Sequence, residues 1–509
     1  MRSVARRSVL VALLVAFAVP GAAAAKKPAP PPVPPPSSST ATFVKNFADV
    51  VSGVQVSATP EDVQATADGG TIALASVPSP DGVLVNWVTK LSNVGAIQWQ
   101  EEVGCLSTAP GDYSIGVSLQ LTSDGGYVLA GGTIGCGSGP NCPVTSGLTC
   151  GFVEKLTLTG AVSWARVYTV GADGTVFNEI RQTSDGGYVA VGSATDANNN
   201  SGGLAVKLDA NGNLVWQSIF GPSSAFQADF QSVAPASGGG YVATGRLNAN
   251  SGFSLAVVKL DAGGKLVWQH AYNTVTNGSP SAATQPFAII GTADGGYAVA
   301  GTWNSTTTPG TCCSGPLLLK LDSLGAVQWQ QAYEGGVYCF FNGFSETCTS
   351  IGGVAYGLRQ TSDGGFVLAG DANIKMNDGA PIEPWLAKVD SAGQLVWQEN
   401  VYRVNPQTGR PLSENFAGVT LTTAGIFALG FTENITSAKG ELLGVSTDSL
   451  GQVATTCADV HPAALLAAAN PGLVDLNAQL AVTTSTGAGV SNAPVATLTT
   501  SGTASAPQC

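Results

Sequence analysis

Charge is the scarcest property of this 509-residue chain. Asp, Glu, Lys and Arg together make up 11% of it, against roughly a quarter in an average soluble domain. The net sign is wrong for nucleic acid, because a formal charge of -12 offers phosphates no basic footprint. Histidine is limited to His270 and His461, and no cysteines are spaced as CxxC, so a zinc site has no ligand set to draw on. Beyond the N-terminus, no apolar run approaches the roughly 20 residues that cross a bilayer. The sequence also lacks a GxSxG elbow, a phosphate-binding loop, an HExxH pair and a nucleophile with a credible His partner. Low charge beside nine Trp, 11 Tyr and 17 Phe excludes disorder, which needs few apolar residues and many charges. Glycine is abundant, at 65 residues, on an ordinary 44% hydrophobic background.

The N-terminus places Arg2, Arg6 and Arg7 before an apolar run from Val9 to Val19 and the small residues Ala22 to Ala25. That order predicts a signal peptide over 1–25 and a mature chain beginning at Lys26. Arg6-Arg7 followed by Ser8-Val9-Leu10 resembles a twin-arginine signal, though Val9 stands where Phe is usual, and both export routes stay open. The protein is expected to be periplasmic, cell-surface or extracellular and bacterial. Pro fills seven of the nine positions from Pro28 to Pro36, making 26–42 a stiff, solvated linker. Ten cysteines in an exported chain predict disulfides. They fall in three groups: Cys105, Cys136, Cys142 and Cys150; Cys312, Cys313, Cys339 and Cys348; and Cys457 with Cys509.

The chain repeats itself. Leu121-Thr122-Ser123-Asp124-Gly125-Gly126-Tyr127-Val128-Leu129-Ala130-Gly131 returns at 182–192, 291–301 and 360–370, with weaker copies around Asp68, Gly238 and Ala424, at intervals of 53 to 69 residues. A second phrase follows each copy, as in Lys207-Leu208-Asp209-Ala210-Asn211-Gly212-Asn213-Leu214-Val215-Trp216. Its Trp recurs as Trp99, Trp164, Trp216, Trp268, Trp329 and Trp397, and the seventh copy has lost it. Each unit divides into four short apolar runs joined by turns whose residues tolerate positive φ. Four antiparallel strands repeated seven times, with no helical period between them, predict an all-β fold, a seven-bladed β-propeller over 43–458. Eight blades is the alternative, with the Ala/Ser/Thr-rich tail 459–509 contributing. Phe43 to Phe47 matches the fourth-strand position and is expected to complete the last blade.

These phrases resemble the repeats of quinoprotein-type, pyrroloquinoline-quinone-like propellers, although Asp209 lies one residue closer to Gly212 than is usual there. They are still more similar to the QTSDGGY-type repeats of secreted bacterial proteins, most of which have no assigned activity. The resemblance implies the fold and is nearly silent on chemistry.

Strand alternation puts the first-to-second and third-to-fourth turns on one face and the longer, variable connections on the other. Eight of the ten cysteines fall in or beside those variable connections, so that disulfide-stapled face is the expected recognition surface. Its aromatic anchors would be Trp303, Tyr338, Phe340, Phe341 and Phe344. The alternative is that these rings pack as a local core. Arg181 and Arg359 occupy equivalent innermost-strand positions and are expected to line the channel, with Gln64 and Gln120 in the same register. Glu61, Asp62 and Glu179 form a conceivable carboxylate pair across that channel, of the kind glycosidases use. The recurring Lys90, Lys155, Lys207, Lys259, Lys320 and Lys388 predict a structural task, a stem along the sheet with its amine at a turn. The Asp196 to Gly202 loop faintly resembles a calcium loop but offers one carboxylate, and a polar loop is the simpler reading. Cys312-Cys313 resembles the vicinal disulfide of some quinoprotein dehydrogenases, but the ligand motifs of those enzymes are missing.

The expected function is that of a monomeric, non-enzymatic binding scaffold that contacts a protein or glycan of the cell envelope, without metal or cofactor. Calcium and a quinone stay open. The alternatives are an enzyme, either a degenerate quinoprotein or a carboxylate-dependent glycan hydrolase or lyase, and a structural protein of the cell surface.

Overall fold

The computed structural model describes residues 43–51, 54–78, 84–103, 113–134, 149–170, 174–195, 200–221, 226–249, 253–273, 275–276, 279–280, 284–308, 311–334, 337–341, 346–350, 353–373, 382–401, 414–433, 440–452, 460–462, 467–469, 474–475, 482–483, 488–492 and 503–504. The signal-like segment, the Pro-rich linker, Asp196 to Asn199, and Cys105, Cys136, Cys142, Cys457 and Cys509 lie outside these residues.

The Thr-Ser-Asp-Gly-Gly phrase closes the first hairpin of a blade. In blade two, Thr122 N donates to Gly126 O and Gly125 N donates back to Thr122 O, both at 2.9 Å. Gly125 takes φ +84°, where a side chain is strained. Asp124 Oδ1 accepts from the Thr122 hydroxyl and the Gly126 amide. Lys155 reaches in from the third strand and donates to Asp124 Oδ1 at 3.1 Å and to Leu156 O at 2.9 Å. The second glycine is needed for space: a Cβ on Gly126 would lie 2.2 Å from Leu156 O and 2.5 Å from Lys155 Nζ. The same Lys–Asp pair recurs as Lys90–Asp68, Lys207–Asp185, Lys320–Asp294 and Lys388–Asp363, all between 2.8 and 3.0 Å. Blade four has Gly238 in place of the aspartate, and Lys259 donates instead to Ser237 O at 3.4 Å. Blade seven has lost both partners, with Ala424 and Ser446 in their places. The predicted structural task of the lysine is therefore to lock this turn.

Six blades are formed from consecutive strands, and each is an antiparallel sheet of four with a tail strand added to five of them. Their innermost strands are Thr59–Ala65, Tyr113–Leu121, Thr175–Gln182, Phe226–Pro235, Gln285–Gly291 and Gly353–Gln360. Blade seven starts with Glu414–Leu421, Ile426–Glu433 and Gly440–Thr447, and its fourth strand is Phe43–Val51 from the other end of the chain. Phe43 pairs with Ser446, the register position that Trp397 takes opposite Lys388 in blade six. The ring is thus closed by the segment expected to close it.

The core is divided among the seams. Seven buried clusters each join one blade to the next, including the closing seam, where Phe47, Phe427 and Leu442 meet Val63 and Trp87. Alternation along a single strand serves both sides. In blade five, Tyr297 and Val299 face blade four, while Ala298 and Ala300 face blade six. The repeat Trp lies across the seam from the next Tyr, with ring centroids 5.9 Å apart for Trp99–Tyr127, Trp164–Tyr188 and Trp216–Tyr241. The turn glycine of the next blade rests on the same indole. A Cβ on Gly264 would lie 2.5 Å from Trp216, and one on Gly451 2.7 Å from Trp397.

Among its described residues the tail builds no eighth blade. Its short strands 460–462, 467–469, 474–475, 482–483 and 488–492 add in order to the outer edges of blades six, five, four, three and two. Strand 503–504 then pairs with 47–48 at the outer edge of blade seven. The tail is a belt around the ring.

Candidate functional site in the axial cavity

Every innermost strand breaks its pairing at one equivalent place, between Pro60 and Asp62, Gly116 and Ser118, Phe177 and Glu179, Phe230 and Ser232, Pro286 and Ala288, Ala355 and Gly357, and Phe416 and Gly418. A β-bulge leaves one residue unpaired and re-aims its side chain. The seven unpaired residues, Glu61, Val117, Asn178, Gln231, Phe287, Tyr356 and Ala417, all line one axial cavity of about 440 Å³. The bulges turn a stack of sheet edges into a shaped pocket, of a size suited to a small ligand.

The next residue in each strand serves the wall. Asp62 Oδ2 accepts from the Leu119 amide at 2.9 Å, Ser118 Oγ from Ile180 N at 3.3 Å, Glu179 Oε2 from Val233 N at 2.5 Å and Ser232 Oγ from Ile289 N at 3.0 Å. These four clips tie the innermost strands of blades one to five in series, and an aspartate or glutamate does the work a serine does elsewhere. Both carboxylates are satisfied further: Asp62 Oδ1 accepts from Val63 N at 2.7 Å and from the Gln64 amide, while Glu179 pairs with Arg181. Around the rest of the ring the position holds Ala288, Gly357 and Gly418, which have no polar side chain to form a clip.

Glu61 differs from both. Burial pushes its carboxyl up to about 7, the Ser76 hydroxyl donates to it at 2.9 Å and lowers it, and the neighbouring Asp62 raises it further. Asp62 is also raised by burial, against the pull of the Leu119 amide, Arg359 and Arg181. In blade six, two places round the ring, Tyr356 donates its hydroxyl to Asp371, whose carboxyl burial raises to about 6, and its ring meets Phe287 edge-on at 4.9 Å.

Arg181 and Arg359 both line the cavity. Gln64 and Gln120 share their register but are not part of its lining. Gln64 bonds Asp62, and Gln120 Oε1 accepts from Gln182 N at 2.5 Å. Trp303 is not an exposed anchor: it is 6% accessible and packs with Tyr272, Ile289 and Leu317 in the seam between blades four and five. Strands Val337–Phe341 and Glu346–Ser350 form a hairpin that sets Cys339 directly opposite Cys348 and carries Tyr338, Phe340 and Phe341; Phe344 lies outside the described residues. Cys312 and Cys313 begin the strand Thr311–Leu321, and Cys150 is buried between blades one and two. Among the described residues, no group of three His, Cys, Asp or Glu side chains is placed to hold a metal. Phe287, Tyr356 and the bulge ring escaped sequence reasoning. Aligning the repeats on Asp-Gly-Gly would have found them, since each bulge falls four residues before its strand ends.

No family model matches the chain, and no curated protein does. Among solved structures, it is similar to a protein of unknown function from Dyadobacter fermentans, at 10% identity over 79% of this chain and 98% of that one, with a TM-score of 0.38. An α-L-arabinanase from Penicillium chrysogenum, complexed with arabinobiose, aligns at 12% identity over 69% and 98%, with a TM-score of 0.37. A xylan β-1,4-xylosidase from Bacillus halodurans aligns at 8% identity over 85% and 98%, with a TM-score of 0.26.

Proposed function

We propose that this protein is an exported, non-enzymatic binding module of the cell envelope that seats part of a glycan or another polar ligand in its axial cavity. The observation that carries this reading is the engagement of Asp62 and Glu179. Hydrolysis by paired carboxylates needs one acid and one unencumbered base or nucleophile. Here both candidates for the second role accept backbone N–H groups that serines accept in neighbouring blades. The cavity offers what binding needs: a mixed polar and aromatic lining on rigid strands. The variable loops around it would extend the contact, without Trp303. Export is supported by the signal-like N-terminus, and disulfides by the opposed Cys339 and Cys348.

The test is a glycan panel read by calorimetry, with the mature chain and an Ala417→Trp variant that plugs the cavity and removes no clip. Binding by the wild type that the plug abolishes, at an unchanged melting temperature, is the expected result. Equal binding by both proteins sends recognition to the loops and overturns the cavity assignment.

One observation favours a hydrolase instead. A carboxyl held near 7, as at Glu61, suits a general acid. That reading requires release of reducing sugar from some member of the panel and its loss in Glu61→Gln. Turnover that survives Glu61→Gln removes it.

A further inference from the structure

We infer that the axial cavity selects anionic ligands, namely small sugars bearing a carboxylate or phosphate, and seats the anion between Arg359 and Arg181. This deepens the cavity reading above and rests on it. The two arginines hold equivalent positions, three residues beyond the bulge in blades three and six. On a ring of seven, those blades stand almost opposite each other across the axis. The two arginines therefore line the one cavity from facing walls, and burial, then the charge of Arg181, holds the Arg359 guanidinium below its ordinary pKa.

Their surroundings differ in a way that leaves one fork available. Arg181 is paired with Glu179. Arg359 donates Nη1 to the carbonyl of its own neighbour Leu358 at 2.8 Å. Among the described residues, no carboxylate forms an ion pair with it, and Asp62 and Glu179 act on it only through their fields. A guanidinium offers five donors in a planar array that suits carboxylate and phosphate, and leaving them unmatched in a buried site is unfavourable. The other residues at this level do not compete for the anion: Gln64 donates to Asp62, Gln120 and Thr420 each accept a backbone amide from the adjacent strand, and Ala234 and Ile290 are apolar. Above the anion seat, Asn178, Gln231 and Asn415 face the cavity and can meet hydroxyl groups.

The experiment titrates the mature chain with D-galactose, D-galacturonate and galactose 1-phosphate, with inorganic phosphate alongside, and repeats each titration with Arg359→Gln, Arg359→Lys and Ala417→Trp. The two sugar anions are expected to bind at least about tenfold more tightly than galactose. Arg359→Gln should bring them down to the galactose level, Arg359→Lys should recover part of the loss, and Ala417→Trp should remove all binding. The carboxylate and phosphate arms show which anion the seat prefers, and inorganic phosphate shows whether the anion alone suffices. Galactose bound as tightly as the anions, or anion binding unaltered in a folded Arg359→Gln, overturns the inference and leaves the cavity reading standing. Binding that survives Ala417→Trp overturns both. If no sugar anion binds at millimolar concentration, anion selection is overturned, and the glycan panel decides the cavity reading separately. Melting temperatures separate lost binding from lost folding.

Discussion

At the scale of single residues, the turn lock joins an aspartate, a lysine and a glycine that lie up to 31 residues apart in sequence. The ammonium is almost fully buried, and its desolvation is offset by a carbonyl and a carboxylate at fixed distance. The carboxylate lies half in solvent, so the ion pair itself contributes modestly. The glycine is the strict member. Gly365→Ala would set a methyl 2.3 Å from Val389 O and 2.4 Å from Lys388 Nζ, and we expect a loss of about 3 kcal/mol in denaturant unfolding. Gly125→Ala, open around its Cβ but at positive φ, should cost only about 1 kcal/mol.

Glu61 makes the cavity wall sensitive to pH. Its folded pKa lies above its ordinary value of 4.5, at about 7. The folded state therefore holds the proton more tightly than the unfolded chain, and stability falls as pH rises from about 4.5 through 7. Glu61→Gln keeps the Ser76 contact and removes the charge. It should leave stability near pH 4 unchanged and raise it near pH 8 by roughly 2–3 kcal/mol, read from urea midpoints. No gain at the higher pH would place the Glu61 carboxyl in contact with water.

At the scale of elements, the innermost strands need a device that ordinary sheets lack, because their inner edges face the axis and have no partner strand. The clips supply it. Ser232→Ala strips the acceptor from Ile289 N in a buried position, and we expect a loss of about 1–2 kcal/mol. Hydrogen exchange should quicken at Ile289 first, while the amide of Ile180, held by Ser118, should keep its protection. The seams follow a different rule, in which indole, tyrosine and turn glycine from two blades interlock. Trp216→Ala should cost about 3 kcal/mol, and it removes the bond from its indole nitrogen to Ala262 O.

At the scale of the whole molecule, closure is a chain-end problem solved twice. Strand Phe43–Val51 closes the ring inside blade seven, and the tail covers outer strand edges from blade six round to blade two before returning to blade seven. Removing 43–51 takes the fourth strand from blade seven and part of the core from its seam with blade one, and it should abolish cooperative unfolding. Truncation after Gln452 leaves all seven blades complete. That protein should fold with a lower melting temperature and an increased tendency to self-associate through its uncovered edges, measured by light scattering. A truncated protein as stable and monomeric as the full chain would show that the belt adds nothing.

The pH response of the whole follows from two opposed populations. Turn aspartates Asp124, Asp185 and Asp294 are lowered to about 2, chiefly through hydrogen bonds from their Thr and Lys partners working against burial, so their contribution is present above the ordinary value of 3.8 and is lost as pH falls through 2. Buried Glu61, Asp371 and Glu383 are raised to about 7, 6 and 7, and they destabilise as pH rises through those values. The melting temperature should therefore peak between about pH 4 and 5, a maximum that a scan across buffers would confirm or refute.

The tertiary structure closed the alternative of an eighth blade, since the tail strands add to sheets already four strands wide. The sequence alone marked seven repeats, the closing strand Phe43 to Phe47 and a structural task for the repeated lysine. Each of these features recurs with the period of the fold, and a need met in every blade leaves a mark in every repeat. Only the tertiary structure decided where Trp303 lies, since a strand running on to Thr308 carries that indole into a seam that the sequence marks as loop. The bulged wall of the cavity was likewise invisible. Its bulge positions hold seven different residues, from Ala417 to Tyr356, because a side chain facing the axis has no packing task that every blade repeats. The two arginines that face each other there lie 178 positions apart in the chain, and it is the closing of the ring that brings them together.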